Sequence, residues 1–239
     1  MKILRAFWGI GLMSVLCQPV LASNYSYNDF PPKGSRTVDD VIKRYQPIVE
    51  PRLKIDFARA DVSYPPKKIA LFAMKNEQKM ELWAEEGDTW HLIKNYPITK
   101  LSGVMGPKKR EGDKQIPEGI YQVEFLNPNS QYHLSMKLNY PNDFDLKYAK
   151  LEGRTKPGTN IFIHGKESSV GCLAIGDVAI EELFVLAKNT GIDNIDVVIS
   201  PYDPRTRTLV PTLSEPYWTS ILYRDITHIA QQFDSKRHL

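Results

Sequence analysis

One histidine and one cysteine in the second half of the chain have the spacing of a catalytic pair. His164 ends a short apolar run, and Cys172 follows eight positions later. Eight residues span at most about 28 Å when extended, and a loop with a glycine at each end, Gly165 and Gly171, can fold back on itself. The imidazole could then take the thiol proton and make the sulfur a nucleophile.

The residues around Cys172 also suit the stabilisation of negative charge on oxygen. A small residue before a nucleophile lets backbone N–H groups approach a developing oxyanion, so the amides of Gly171 and Cys172 are candidates for that role. Each such donor contributes roughly 3 kcal/mol in favourable cases. The hydroxyl of Ser169 could orient His164 or the substrate, and Gly165 turns the chain away from the histidine.

The first residues have the pattern of a secretory signal peptide. Lys2 and Arg5 precede an apolar run at 6–16, and Pro-Val-Leu-Ala at 19–22 resembles a cleavage signal. We therefore expect cleavage after Ala22 and export to the periplasm or the cell envelope. The apolar run is too short for a permanent membrane span, and no later segment reaches that length, so no stable span is expected.

Cleavage would leave Cys172 as the sole cysteine, because the other of the 2 cysteines, Cys17, lies in the signal. A lone thiol in an oxidising compartment either pairs between chains or stays free for chemistry. A buried cysteine in an intracellular protein is more often a small core residue, but export and the nearby His164 favour a nucleophile. A metal site needs three or four ligands, so we predict neither a metal nor a cofactor.

Charge and composition exclude other classes of protein. The chain has 31 basic and 28 acidic residues, and the signal removes two basic ones, so the mature protein is close to neutral and is not expected to bind nucleic acid. The proportions of hydrophobic residues (42%) and charged residues (25%) are those of a globular protein. We expect a monomer.

Hydrophobic patterns predict a mainly β (α+β) fold. The predicted strands cover residues 69–74, 80–85, 90–93, 120–125, 132–138, 161–163 and 196–199. The run 161–163 is apolar enough for a central buried strand. The expected architecture is a curled, mixed or antiparallel β-sheet with one packed helix and helical N- and C-terminal extensions.

Candidate N-cap residues predict three helices, at Thr37, Asp177 and Ser214. Pro47 and Pro51 should break or kink the first helix. These patterns divide the chain into four parts. They are a signal peptide (1–22), a polar leader with a helical segment (23–66), a catalytic domain (67–200) and a C-terminal helical extension (201–239).

Two separated motifs resemble the catalytic domain of the L,D-transpeptidases (YkuD type). The letters IHG at 163–165 and SVGC at 169–172 are similar to that family's H-G…S-x-G-C signature. Upstream, GVMGPK at 103–108, EGD at 111–113 and PEGIY at 117–121 look like its G-x-K…G-D…P-x-G-x-[YF] region. Many members have a histidine where this chain has Val170. That difference and the short His-to-Cys spacing resemble the YafK-type branch, which includes enzymes that release lipoprotein from peptidoglycan.

The resemblance implies a fold of the L,D-transpeptidase type and peptidoglycan stem peptides as the partner. The Cys172 thiolate would attack the carbonyl that joins the L-centre of a diamino acid to D-Ala, and an amine would resolve the thioester into a cross-link. His164 would act as general base and then as general acid. With water as acceptor, the protein would be an L,D-carboxypeptidase, or an amidase that releases wall-linked lipoprotein. An inactive wall-binding module is the third hypothesis.

Weaker candidates for substrate binding lie outside the two motif centres. Lys108, Arg110 and Arg154 could attract the carboxylates of a stem peptide, although charged loop residues are usually only solvated. Tyr140 could line a cleft. Asp113 and Glu118 are expected to shape the loop rather than to act as acids.

Overall fold

The protein is described by a computed structural model over residues 30–234, so the predicted signal peptide lies outside the described residues. Eight strands lie within this range: Ile69–Met74 (β1), Lys79–Glu86 (β2), Thr89–Pro97 (β3), Gly119–Asn127 (β4), Ser135–Leu138 (β5), Phe162–His164 (β6), Leu173–Ala174 (β7) and Ile195–Ser200 (β8). Four α-helices accompany them: Val38–Arg59 (α1), Asp143–Leu151 (α2), Asp177–Thr190 (α3) and Thr219–Ala230 (α4).

The eight strands form one curled mixed sheet in the order β3-β2-β1-β8-β4-β5-β6-β7. Neighbouring strands are antiparallel except for the pairs β1–β8 and β6–β7. The curl occurs at β4, whose first residues pair with β8 and whose later residues pair with β5 across an irregularity between Val123 and Phe125. After β3 the chain reaches the opposite edge of the sheet, where Lys100 bridges to Ala174. The predicted fold class is confirmed.

Helices cover both faces of the sheet. Alternate residues of β1 point to opposite sides, and Leu71 packs in a core with α1 and α3, whereas Phe72 packs in a second core with α4. Every residue of β1 is buried, which explains why its sequence is continuously apolar instead of alternating. None of the described helices is long and apolar enough to span a lipid bilayer.

Helix α1 begins as predicted and then continues past its prolines. Thr37 is the N-cap and forms a capping box with Asp40. Pro47 and Pro51 do not break the helix, since both lie inside α1, and the alternative that they kink it stays a prediction. Val49, which lies between the two prolines, is fully buried and packs in the core with α3 and the sheet. Tertiary packing therefore outweighs the loss of backbone hydrogen bonds at the prolines.

Other boundaries also differ from the prediction. Helix α4 begins at Thr219 rather than after a Ser214 cap, and helix α2 was not predicted. Asp177 is the first residue of α3 instead of its cap, and its carboxylate accepts a hydrogen bond from the backbone amide of Lys166. Strand β6 lies next to the edge strand β7 and is not central.

Candidate active site

Strand pairing brings the two motif residues to the same end of the sheet. In the parallel pair β6–β7, Ile163 lies opposite Leu173 and His164 lies opposite Ala174. The residue before Leu173, Cys172, is therefore level with Phe162. Cys172 itself lies immediately before β7, so the pairing brings its backbone next to the strand that ends at His164.

The hydrogen bonds of the two side chains go to the backbone, and none joins the thiol to the imidazole. The sulfur of Cys172 lies 3.8 Å from the carbonyl oxygen of Asn160. The Nδ1 atom of His164 lies 2.6 Å from the carbonyl oxygen of Gly165. A carbonyl oxygen only accepts, so Nδ1 must carry the proton, and Nε2 is the basic nitrogen of the neutral ring.

The surroundings of His164 include a stacked aromatic ring and a closely packed glycine. The ring of Tyr132 stacks on it, with centroids 4.4 Å apart and planes inclined by 29°. Gly165 lets the chain pass close to its surroundings, since a Cβ atom there would lie 2.5 Å from a carboxylate oxygen of Asp177 and 2.8 Å from the Tyr132 carbonyl oxygen. The glycine after the histidine is thus required by close approach of the backbone.

The two backbone amides predicted to form an oxyanion hole both donate hydrogen bonds to serine hydroxyls. The amide of Gly171 donates to the Ser102 hydroxyl at 2.6 Å, and that of Cys172 donates to the Ser169 hydroxyl at 3.2 Å. The Ser169 hydroxyl in turn donates to the carbonyl oxygen of Cys172. Ser169 therefore shapes the loop of the cysteine and does not contact His164. A substrate oxygen would have to replace the hydroxyls to use these amides.

Burial keeps both candidate catalytic groups uncharged at neutral pH. It raises the pKa of the Cys172 thiol above its ordinary 9.0, although a hydrogen bond to the Phe162 backbone and the positive charge of Lys108 oppose the change. Burial also lowers the pKa of the His164 imidazole below its ordinary 6.5, against the effect of its hydrogen bond to Gly165. The resting pair is therefore a thiol beside a neutral imidazole rather than a thiolate–imidazolium ion pair.

Lys108 is buried beside this site. Its side chain is 5% exposed and forms an ion pair with Asp113, and its ammonium group also donates to the carbonyl oxygen of Arg110 at 2.9 Å. The Asp113 carboxylate accepts from backbone amides of the same loop, those of Lys109, Arg110 and Gln115. Asp113 therefore shapes the loop, as predicted.

A cavity of about 160 Å³ lies between the loop of Lys108 and the residues that precede the cysteine. Its walls include Lys108, Asn160 and Gly171, so it reaches the residue before Cys172 and the residue whose carbonyl oxygen contacts the sulfur. Cys172 and His164 themselves do not line this cavity.

The other three nominated binding residues lie in different surroundings. Arg110 is exposed and lines a separate cavity with Glu215. Tyr140 is buried, and its hydroxyl donates to the carbonyl oxygen of Pro157 at 2.9 Å. Arg154 donates to Glu152 at 2.6 Å and to the carbonyl oxygen of Lys109 at 2.7 Å. The substrate-binding role of these three residues therefore stays a prediction.

Sequence reasoning missed Tyr132 and Ser102. Tyr132 belongs to a predicted strand, which hid its contact with His164, and Ser102 lies 69 positions from its partner Gly171. Neither residue carries a sequence signal for the role that the fold gives it. Within residues 30–234, no three histidine, cysteine or carboxylate side chains come together as a metal site would require.

The family model described as the YkuD L,D-transpeptidase catalytic domain matches residues 68–208, which include His164, Cys172 and the loop 103–119. The match covers more than half of the chain. The protein therefore belongs to the L,D-transpeptidase catalytic domain family, and the resemblance of its motifs to that family is confirmed.

Two curated proteins named YafK are similar to the central part of the chain. The Escherichia coli K12 protein named "Putative L,D-transpeptidase YafK" is 32% identical over 142 residues, which are 57% of this chain and 54% of the relative. The corresponding protein of Escherichia coli O157:H7 matches to the same extent. The chain thus aligns with about half the length of these relatives.

Solved structures with a similar arrangement include the helical cell shape determining protein Pgp2 of Campylobacter jejuni. It has a TM-score of 0.48 and 20% identity, over 70% of this chain and 54% of that one. Bd1075 of Bdellovibrio bacteriovorus has a TM-score of 0.42 and 19% identity, over 69% of this chain and 56% of that one.

Proposed function

We propose that the protein is an exported peptidoglycan L,D-transpeptidase in which Cys172 is the nucleophile and His164 the general base and acid. The observation that carries the proposal is the β6–β7 pairing, in which His164 ends β6 and Cys172 immediately precedes β7, inside the region that matches the family. The predicted signal peptide supports a periplasmic location.

In the first half of the reaction, Nε2 of His164 takes the thiol proton as the Cys172 sulfur attacks the carbonyl between the diamino acid and D-Ala. The neutral imidazole can act as a base because its Nδ1 proton is already committed to Gly165. The imidazolium then protonates the leaving amine, the C–N bond breaks, and D-Ala departs. A thioester on Cys172 remains.

In the second half, the amine of an acceptor stem attacks the thioester. His164 takes a proton from that amine and returns it to the sulfur as the C–S bond breaks, which restores the thiol and forms the cross-link. The stacked ring of Tyr132 favours the imidazolium in both halves through a cation–π contact.

The test is incubation of the purified protein with a tetrapeptide muropeptide, followed by mass spectrometry of the products. We expect a cross-linked dimer and release of D-Ala with the wild type, and loss of at least about a thousandfold in turnover with Cys172→Ala. Ser168→Ala is the matched control, since Ser168 is exposed in the same loop.

Each alternative has its own outcome in this experiment. Trimmed monomers without a dimer would identify a carboxypeptidase, and release of lipoprotein from sacculi would identify an amidase. Equal product profiles for the wild type and Cys172→Ala would contradict the nucleophile and support a wall-binding module.

A further inference from the structure

The hydroxyl of Ser102 lies beside the loop of the candidate nucleophile and has an unused proton. Its oxygen accepts a hydrogen bond at 2.6 Å from the amide of Gly171, the residue before Cys172. A serine hydroxyl can accept and donate at the same time, and within residues 30–234 no acceptor lies within hydrogen-bonding distance of this one. Ser102 is only half-buried, so its free O–H group is accessible to a bound substrate.

Ser169, the other serine on the predicted oxyanion hole, has no such proton. Its hydroxyl accepts from the Cys172 amide and donates to the Cys172 carbonyl oxygen. Both functions of that hydroxyl are therefore used within its own loop. Of these two serines, Ser102 is the one that can still donate to a substrate oxygen.

The backbone on either side of Ser102 is held by other parts of the fold. Before it, the amide of Thr99 donates to the carbonyl oxygen of Ala174 in β7 at 2.8 Å. After it, the amide of Val104 donates at 2.8 Å to the side chain of Gln115, which is buried. The hydroxyl is therefore positioned before a substrate arrives, which is the condition under which a hydrogen-bond donor stabilises a transition state most strongly.

We infer that Ser102 is a further catalytic residue, whose hydroxyl donates a hydrogen bond to the oxyanion that forms when Cys172 attacks a carbonyl group. The inference rests on the proposed function for that attack. As the C–S bond forms, the π electron pair of the carbonyl moves to its oxygen, and the thiol proton passes to Nε2 of His164. The Ser102 proton is shared with this oxygen and is not transferred.

The amide of Gly171 strengthens this donor. A hydroxyl that accepts a hydrogen bond is polarised and becomes a better donor itself, so the amide acts on the oxyanion through Ser102. The φ angle of Gly171 is 94°, a conformation that favours glycine, so the residue before the nucleophile sets the direction of the amide. An oxyanion that displaced Ser102 and bound the amide directly would predict the opposite effect of removing the hydroxyl.

The first test compares two reactions of the Cys172 thiol and needs no peptide. p-Nitrophenyl acetate acylates the sulfur through a tetrahedral oxyanion, whereas iodoacetamide alkylates it by displacement of iodide and forms no oxyanion. The ratio of the two rates, after subtraction of the rates with Cys172→Ala, cancels changes in the fraction of thiolate. We expect Ser102→Ala to lower this acylation-to-alkylation ratio about ten- to a hundredfold.

Two further variants control this test. Ser102→Thr keeps the hydroxyl and should retain the wild-type ratio within about threefold, and Ser168→Ala removes an exposed hydroxyl from the loop of Cys172 and should equal the wild type. A ratio that Ser102→Ala leaves unchanged or raises would overturn the inference. A ratio as low in Ser102→Thr as in Ser102→Ala would do the same, because it would assign the effect to shape.

The second test measures the proposed reaction on a tetrapeptide muropeptide. We expect Ser102→Ala to lower kcat at least about tenfold and to leave KM within about twofold, because the oxyanion exists only after the attack. A higher KM with an unchanged kcat would show that Ser102 binds the substrate in its ground state, and it would contradict the inference.

The two tests separate failure of the inference from failure of the proposed function. If the muropeptide is not consumed but the reagent ratio falls in Ser102→Ala, the oxyanion role stands and the transpeptidase proposal is wrong. If the wild type and Ser102→Ala consume the muropeptide with equal kcat, the transpeptidase proposal stands and Ser102 serves only to hold the loop.

Discussion

Two buried lysines form ion pairs with carboxylates of the loop 103–119, and the two pairs differ in their surroundings. Lys75, just after β1, lies under the loop and contacts Glu118 at 2.8 Å, and the two side chains are 2% and 0% exposed. Lys108, within the loop, pairs with Asp113, whose side chain is 14% exposed. Both pairs bury a positive charge, and Lys108 also lines the cavity that contains Asn160 and Gly171.

The Lys75 pair is closed on all sides. Its ammonium group lies within 2.9 Å of the carbonyl oxygen of Val104 and within 3.4 Å of those of Gly106 and Ile116. The Glu118 carboxylate accepts further hydrogen bonds from the loop and from α4, donated by the Gly106 amide and the Tyr223 hydroxyl. A charge whose contacts are all internal fixes a fold, whereas a charge with a free donor at a cavity can act on a ligand.

The largest expected effect is on the closed pair. Lys75→Met leaves the buried Glu118 carboxylate without its cation, which should lower the free energy of unfolding by about 3–5 kcal/mol. Urea unfolding followed by circular dichroism measures the loss. The double variant Lys75→Met/Glu118→Gln should recover much of it, and a single-variant loss below about 1 kcal/mol would contradict this interpretation.

The half-buried carboxyl group of Asp145 shows what happens without a lysine partner. Burial raises the pKa of Asp145 from 3.8 to about 7, so the folded protein retains a proton that the unfolded chain releases. The contribution of Asp145 to the free energy of unfolding should therefore fall as the pH rises from about 4 to 7. Asp145→Asn should flatten this dependence and stabilise the protein at pH 8 by about 2 kcal/mol.

Thermal and urea unfolding of the wild type and Asp145→Asn at pH 5 and pH 8 would check this prediction. The substitution retains a side-chain oxygen for the hydrogen bond from the Asn142 amide at the start of α2, so helix capping is preserved. An identical pH dependence in the two proteins would show that Asp145 ionises normally in the folded state.

The Lys108–Asp113 pair should contribute less to stability than the Lys75–Glu118 pair. Lys108→Met should cost only about 1 kcal/mol of unfolding free energy, because Asp113 keeps its three backbone hydrogen bonds and is partly exposed to water. The same urea titration provides the measurement, with Lys109→Met as control. A loss as large as that of Lys75→Met would erase the distinction between the two pairs.

The smallest expected effect concerns the reactivity of the thiol. Since burial raises the pKa of Cys172, alkylation by the neutral reagent iodoacetamide should accelerate with pH and continue to do so beyond 9.0. Lys108 favours the thiolate, so Lys108→Met should react about two- to fivefold more slowly at pH 8. A plateau in the rate below pH 8 would show instead that the resting cysteine is already ionised.

Local patterns were sufficient for much of the fold. The capping box at Thr37, the apolar run of β1 and the glycine after α3, Gly191, were all recognisable because each depends on residues close in sequence. The sequence could not decide whether α1 continues past its prolines, and α2 was missed, since the stability of both helices depends on packing against distant elements.

The sequence by itself determined the motif residues, their order and the family, because each motif consists of residues that lie close together along the chain. Only the tertiary structure decided that Ser102 holds the amide of Gly171, that Tyr132 stacks on His164, and that Lys108 faces the cavity while Lys75 does not. These outcomes depend on strand register and on burial, and both arise from contacts between residues that lie far apart along the chain.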